Sequence, residues 1–229
     1  MSNVNFWYKV IRSIVRGYIT VFVDSVHVEG LQRIPAGPKI IIANHANVTD
    51  GFMLPFFLQE QLHYFIQEET FSVPLIGKLL ALADQIPVVI GQGRDAIDAA
   101  REKLAQGNSV VIFPEGKLNH ARSFHRAGAG AALLALESAV PVVPVGFFVP
   151  DAHTRKIVTS KIHDRETTGQ WQFGGTCFIN IGEPWLPQLS PQAEANYRVL
   201  RKVTEDLMER VIELVESAKN YALLEDGSE

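Results

Sequence analysis

The sequence predicts an α/β domain, a mostly parallel sheet flanked by helices, preceded by an N-terminal amphipathic helix. Three observations carry this. Short β-rich runs alternate with helical stretches from Ser25 onward. Some runs are continuously apolar, Lys39-Ile40-Ile41-Ile42-Ala43 most clearly, as expected of strands covered on both faces. The length, 229 residues, suits one domain and is short for two.

The first element is a helix. At about 100° per residue, Trp7, Val10, Ile11, Ile14, Tyr18, Val21 and Phe22 share one face. Asn5, Lys9, Arg12, Ser13 and Arg16 share the opposite one. An apolar face carrying Trp and Tyr, opposed by cations, suits either packing on the domain or a place in a membrane interface. The longest charge-free apolar stretch here, residues 17–23, falls short of the ~20 residues of a spanning helix. No small-residue cleavage site of a signal peptide follows it.

Strands are expected at 25–29, 39–43, 62–67, 86–90, 109–113 and 142–149, with helices at 74–83, 95–106 and 129–138 between them. Extended segments follow near 157–162 and at 176–181, the latter holding Cys177 as a buried small hydrophobe. A long helix closes the chain at 190–224, with Ser190 as N-cap and Pro191 at its first position. Leu200, Val203, Leu207, Val211 and Leu214 give it an apolar face. The organisation expected is residues 1–24 as the amphipathic helix and 25–229 as the domain.

Composition excludes several classes. Net charge is −4, which argues against nucleic-acid binding by bulk charge. That sum hides an asymmetry, since residues 1–24 are net +2 and residues 205–229 net −6. A single cysteine excludes an internal disulfide and a Cys-rich zinc site. No histidine pair has metal-ligand spacing backed by acids, so no metal is expected. His27 and His63 fall on strands, His153 and His163 in polar extended stretches, and His120 and His125 in a loop.

Three polar blocks follow strands, where open α/β sheets place their sites. The first is Asn44-His45-Ala46-Asn47-Val48-Thr49-Asp50. His45 and Asp50 meet if the loop turns into a helix between them. The carboxylate then accepts Nδ1–H and leaves Nε2 basic toward a substrate hydroxyl. Alternatively, His45 caps a loop and Asp50 is an acid at a helix N-terminus. The second block is Gly91-Gln92-Gly93-Arg94, and the third Phe113-Pro114-Glu115-Gly116-Lys117.

In these blocks the sequence resembles the glycerolipid acyltransferases typified by lysophosphatidic acid (1-acylglycerol-3-phosphate) acyltransferase. Their N-H-x-x-x-x-D block reads Asn44-His45 to Asp50 here, and their F-P-E-G block reads Phe113 to Gly116. Their G-x-x-x-x-x-R block is matched only in part by Gly91 to Arg94. A V-P-[IV]-x-P-V block reads Val140-Pro141-Val142-Val143-Pro144-Val145. The resemblance covers residues 25–187. It implies the family's αβ fold and transfer of a fatty acyl group from acyl-CoA or acyl-carrier-protein to a lysophospholipid hydroxyl, giving phosphatidic acid from 1-acylglycerol-3-phosphate. It implies no cofactor beyond the acyl donor.

By the same resemblance His45 is the general base, Asp50 orients it and Asn44 supports the loop. Arg94, Glu115, Gly116 and Lys117 hold the acceptor, and Pro144 shapes the pocket near the acyl chain. Acting on lipids, residues 3–23 are expected at a membrane surface. The protein would be peripheral or monotopic on the cytoplasmic face, with acyl-carrier-protein as a possible partner.

One departure stands out. The family commonly reads F-P-E-G-T-R, whereas this chain has Lys117 and Leu118 in the last two positions. A bidentate arginine clamp on phosphate is missing there. Lys117, Arg122 or Arg126 is the candidate replacement, and the third block is also similar to that of tafazzin-type transacylases. The alternative acceptors are therefore other lysolipids. A reading from another class takes Gly91 and Gly93, with Ala96, as a dinucleotide fingerprint and Glu115 as its ribose-binding acid. It predicts an NAD-dependent oxidoreductase. Arg94 intrudes in that fingerprint, and the acyltransferase block explains Pro114-Glu115-Gly116 better.

Overall fold

The computed structural model describes residues 4–119, 127–162, 165–187 and 196–226. In chain order these form α1 (Phe6–Phe22), β1 (Ser25–Glu29), β2 (Ile40–Ala43), α2 (Asp50–Phe57), β3 (Leu62–Gln67), α3 (Glu68–Phe71), α4 (Ile76–Leu82) and β4 (Ile86–Val88). There follow α5 (Gly93–Ala105), β5 (Ser109–Ile112), α6 (Gly130–Ser138), β6 (Val142–Phe148), β7 (Thr154–Ile162), β8 (Arg165–Gln172), β9 (Thr176–Ile181) and α7 (Tyr197–Asp226).

Seven strands make one sheet in the order β1-β9-β6-β2-β5-β3-β4. The five from β6 to β4 are parallel. β9 runs antiparallel to β6, and β1 parallel to β9. β2 and β5 are neighbours near the middle, so the loops leaving their carboxyl ends must meet.

The all-buried pattern of β2 follows from its two covered faces. Ile41 and Ala43 join one core layer with Tyr8, Val15 and Ile19 of α1 and Met53 and Leu54 of α2. Ile40 and Ile42 join the other with Ile97, Ala100 and Leu104 of α5, Leu134 of α6 and Leu207 of α7. The alternation is the two-residue period of a strand. The approach of α7 to β6 depends on Gly146, where a Cβ would lie 2.5 Å from the backbone nitrogen of Val215.

β7 and β8 form a separate antiparallel hairpin whose base leans on α1 and α2. Trp171 packs edge-on against Tyr18 and Phe52, each at 5.8 Å between centroids. The Tyr18 hydroxyl donates to the Gln172 carbonyl at 2.6 Å, and burial pushes its ionisation up to about 12.

Four expectations change. The N-terminal helix is integral to the domain, because Tyr8, Val15 and Ile19 on one side of it are buried in the core. Its exposed large apolar residues are Phe6 and, from the expected face, Trp7, Ile14, Val21 and Phe22. The edge strand β4 stops at Val88, two residues early. α2 entered the sequence reading only as a helix start at Asp50; its extent to Phe57 was not given, because Gly51 and the internal Pro55 mask the helical pattern. The closing helix begins at Tyr197, where the Asn196 side chain accepts from Arg198 and Val199 N–H at 3.1 Å each. Ser190 and Pro191 lie outside the described residues, as do His120, Arg122, His125, Arg126 and His163.

Candidate active site

The loop after β2 turns into α2 at Asp50, and this returns Asp50 beneath His45. Asp50 opens the helix, where the N-terminal dipole favours a carboxylate. Its Oδ2 accepts the Asn47 backbone N–H at 2.7 Å, and its side chain is 1% exposed. The His45 Nδ1 lies 3.6 Å from that same oxygen, in ion-pair range but longer than a hydrogen bond. His45 Nδ1 is buried and makes no hydrogen bond. The imidazole is 20% exposed, which leaves the Nε2 edge, opposite Nδ1, as the side open to solvent. Asp50 is thus the helix N-terminal acid of one sequence reading, and it lies within ion-pair range of His45 without accepting a hydrogen bond from Nδ1.

The imidazole is held flat on Phe113, with ring centroids 4.0 Å apart and planes 13° off parallel. Its backbone is fixed at both ends. The His45 N–H donates to Glu115 Oε1 at 3.1 Å, and its carbonyl accepts the Asn119 N–H at 2.7 Å. Asn44 is tied to β6 by a reciprocal pair: Phe147 N–H donates to Oδ1 at 2.7 Å, and Nδ2 donates to the Phe147 carbonyl at 3.0 Å. Asn44, Ala46, Glu115, Asn119, Phe147 and Val215 of α7 line a small, largely enclosed cavity next to the loop that carries the histidine.

Asn44, His45, Asp50 and Glu115 thus form one cluster. Gly116 and Lys117 sit on the exposed side of the same loop, with the Gly116 carbonyl accepting from Gln67 Nε2 at 2.8 Å. Arg94 is elsewhere. It opens α5 beyond the edge strand, and its guanidinium is engaged by Glu137 at 3.2 Å and Asp98 at 3.4 Å. Pro144 is buried inside β6, in register with Ile42, below the strand ends. The aromatic support from Phe113, the Asn47 N–H on Asp50 and the Asn119 N–H on His45 carried no assigned role in the sequence. Only the position of Phe113 at the head of the third block hinted at one.

The dinucleotide reading does not survive this geometry. β4 is an edge strand rather than a central one, and Glu115 is committed to the His45 backbone. Among the described residues no group of histidine, cysteine and carboxylate side chains is placed to hold a metal. None of the described helices is long and apolar enough to cross a membrane. Cys177 is a buried free thiol whose ionisation is pushed up by burial and by the Asp50 charge.

A parallel-centred α/β sheet with a His–Asp pair at the carboxyl ends of its central strands defines the class of domain. The sequence profile of the Acyltransferase family matches residues 25–147, over half of the chain and all of this cluster. The chain belongs to that family. It is 30% identical over 122 residues to a 1-acyl-sn-glycerol-3-phosphate acyltransferase of Pseudomonas aeruginosa, spanning 52% of this chain and 47% of that protein. It is also 30% identical over 129 residues to a lyso-ornithine lipid O-acyltransferase of the same organism, spanning 52% of this chain and 48% of the relative. The chain therefore matches about half the length of these relatives. The fold matches the crystal structure of the 1-acyl-sn-glycerophosphate (LPA) acyltransferase PlsC from Thermotoga maritima with a TM-score of 0.63. That match covers 97% of this chain and 84% of PlsC at 22% identity.

Proposed function

We propose that this protein transfers a fatty acyl group from acyl-CoA or acyl-carrier-protein to the free hydroxyl of a lysophospholipid, with 1-acylglycerol-3-phosphate as the leading acceptor. The observation that carries the reading is the His45–Asp50 pair, 3.6 Å apart within the family match. Nε2 of His45 takes the acceptor hydroxyl proton as the oxygen attacks the thioester carbonyl carbon. Asp50 keeps the proton on Nδ1 and stabilises the imidazolium. The tetrahedral intermediate then expels the thiolate, which receives that proton from Nε2, so the products are an ester and a free thiol.

Glu115 anchors the base through its backbone, and Gly116 and Lys117 present the acceptor side of the loop. Pro144 and Arg94 belong to this proposal as more remote members, Arg94 through an exposed guanidinium at the next strand end. The test is transfer by purified His45→Ala and Asp50→Asn over a panel of lysolipids. His45→Ala is expected to lose transfer while keeping its fold, and Asp50→Asn to lose most of kcat through the wrong tautomer. Near-normal kcat in His45→Ala on the preferred acceptor would reject the mechanism.

A second acceptor class has a specific observation in its favour. Leu118 stands where the family's phosphate-clamping arginine is common, and one of the similar proteins is named for a lyso-ornithine lipid. On this reading lysophosphatidic acid is a poor acceptor and Leu118→Arg improves its use. A strong wild-type preference for lysophosphatidic acid that disappears in Lys117→Ala decides for the first class.

The exposed stripe of Trp7, Ile14 and Val21 on α1 suits docking on the cytoplasmic face of a membrane. Because the other face of α1 is core, the test is substitution on its exposed face. Trp7→Ser with Ile14→Gln and Val21→Gln is expected to weaken vesicle co-sedimentation and leave the fold intact.

A further inference from the structure

Leu75 combines an unfavourable backbone with an unusual exposure. Its φ is 65° and ψ −49°, and the N–H of Ile76 donates back across it to the Pro74 carbonyl at 2.7 Å. This is the positive-φ γ-turn, rare and strained for a residue with a side chain. Glycine or asparagine would make such a turn at lower cost, yet here it presents a leucine that is 85% exposed. The turn is rigidly backed. Gly77 N–H donates to the Val73 carbonyl at 2.8 Å, and a Cβ on Gly77 would lie inside the Phe71 carbonyl oxygen, so α4 is pressed onto α3.

The surroundings extend the apolar surface. Ile76 is 51% exposed, and Ile90 in the loop after β4 is 82% exposed. Both loops leave the carboxyl ends of the strands, the end that carries His45. α4 then runs back beside α1, where Asn5 Nδ2 donates to the Leu82 carbonyl at 3.0 Å, and Leu82, Phe6 and Trp7 are exposed in turn.

We propose that Leu75, with Ile76 and Ile90, is a rigid wedge that enters the acyl region of a lipid bilayer beside the active-site end of the sheet. The inference rests on the reading that this enzyme acts on membrane lipids. Two features select a bilayer as the occupant. The side chains are projecting tips on separate loops, a shape that a fluid acyl region accommodates and a preformed protein groove must match. The tips are also joined to α1 by α4, whose Ile76 and Leu82 are exposed and whose Leu82 carbonyl is bonded to Asn5, and α1 is proposed to meet the same surface. The exposed acids Glu68 and Glu69 precede the wedge and the exposed cation Lys78 follows it, so local charge does not drive its insertion. Apolar burial does, and insertion of the wedge therefore depends little on salt.

The experiment uses the full chain and vesicles of phosphatidylcholine, with and without phosphatidylglycerol. Cys177 is buried and is the sole cysteine, so Leu75→Cys carries one accessible thiol for an environment-sensitive fluorophore. The label is expected to shift to the blue on vesicles and to be quenched by nitroxides in the acyl chains, at low and high salt alike. Leu75→Glu is expected to weaken vesicle partitioning about tenfold or more. Leu75→Gly relieves the turn and is expected to keep or raise Tm while weakening partitioning, a combination that a purely structural role does not produce. A label that ignores vesicles to which the protein is bound, or unchanged partitioning in both variants, overturns the proposal. So does conversion of a dimer to a monomer by Leu75→Glu, which identifies a second copy as the occupant. Transfer to a monomeric short-chain lysolipid in solution is expected to be equal in wild type and Leu75→Glu. Its absence from wild type strikes the acyltransferase reading, whereas the label reads insertion itself.

Discussion

The carboxylate of Glu115 holds the backbone N–H of His45 at 3.1 Å, joining the loops that leave two adjacent strands, β5 and β2. The third sequence block therefore acts on the first, setting where the imidazole stands. Glu115 is 7% exposed, and its Oε2 has no hydrogen-bond partner. Glu115→Gln retains an acceptor for the His45 N–H and is expected to keep a measurable fraction of kcat. Glu115→Ala leaves that donor unmet, with a loss of about 1.5–3 kcal/mol in stability and a much larger fall in kcat. Urea denaturation and steady-state transfer on both variants check this.

Asn44 offers a sharper contrast between shape and chemistry. Its side chain gives one bond to and takes one bond from Phe147. Asn44→Asp keeps the shape but turns a carboxylate oxygen toward the Phe147 carbonyl. It is expected to unfold at lower urea than Asn44→Ala, because a buried charge facing an acceptor costs more than a small void. A more stable Asn44→Asp would refute the assigned orientation.

At the far end of β2, Lys39 is 1% exposed and bridges Glu60 at 2.7 and 2.9 Å, the Ser109 hydroxyl at 3.0 Å and the Gly37 carbonyl at 2.8 Å. Lys39→Met alone strands the Glu60 carboxylate and is expected to cost about 3 kcal/mol. Lys39→Met with Glu60→Leu is expected to recover most of that. Transfer per folded molecule stays at the wild-type value, since the pair lies at the opposite end of the strand from His45.

His63 is expected to make folding acid-sensitive. Burial lowers its pKa below the ordinary histidine value, outweighing the hydrogen bond between Nδ1 and the Asp84 carbonyl at 2.7 Å. Above about pH 6.5 the imidazole is neutral in folded and unfolded chains, and stability is complete. Below it the unfolded chain binds a proton that the folded chain refuses, so stability falls with pH until the folded pKa is passed. His63→Gln is expected to flatten the difference between pH 7 and pH 5 in urea midpoints. An unchanged slope would remove His63 as the sensor.

Much of this protein was legible in its residues. The Ile40-Ile41-Ile42 run declared a strand covered on both faces because no other element tolerates that pattern at that length. His45, Asp50 and Glu115 were visible as a site because polar residues interrupting such strands have few structural uses. The spacing of His45 and Asp50 meets in space because the intervening loop turns into α2, a local event set within a few residues. What lay beyond the sequence was non-local. α1 reads as amphipathic either way, and only its packing on α2 separates the buried side, Tyr8, Val15 and Ile19, from the exposed Trp7, Ile14 and Val21. The ion pairs of the Arg94 guanidinium with Asp98, a helical turn away, and Glu137, on α6, were equally out of reach, because the second depends on how α5 and α6 pack. The union of Phe113, Glu115 and Asn44 around one histidine depends on β5 and β6 flanking β2. Strand order is decided by how all the helices share the two faces of the sheet, and no local stretch of sequence encodes that.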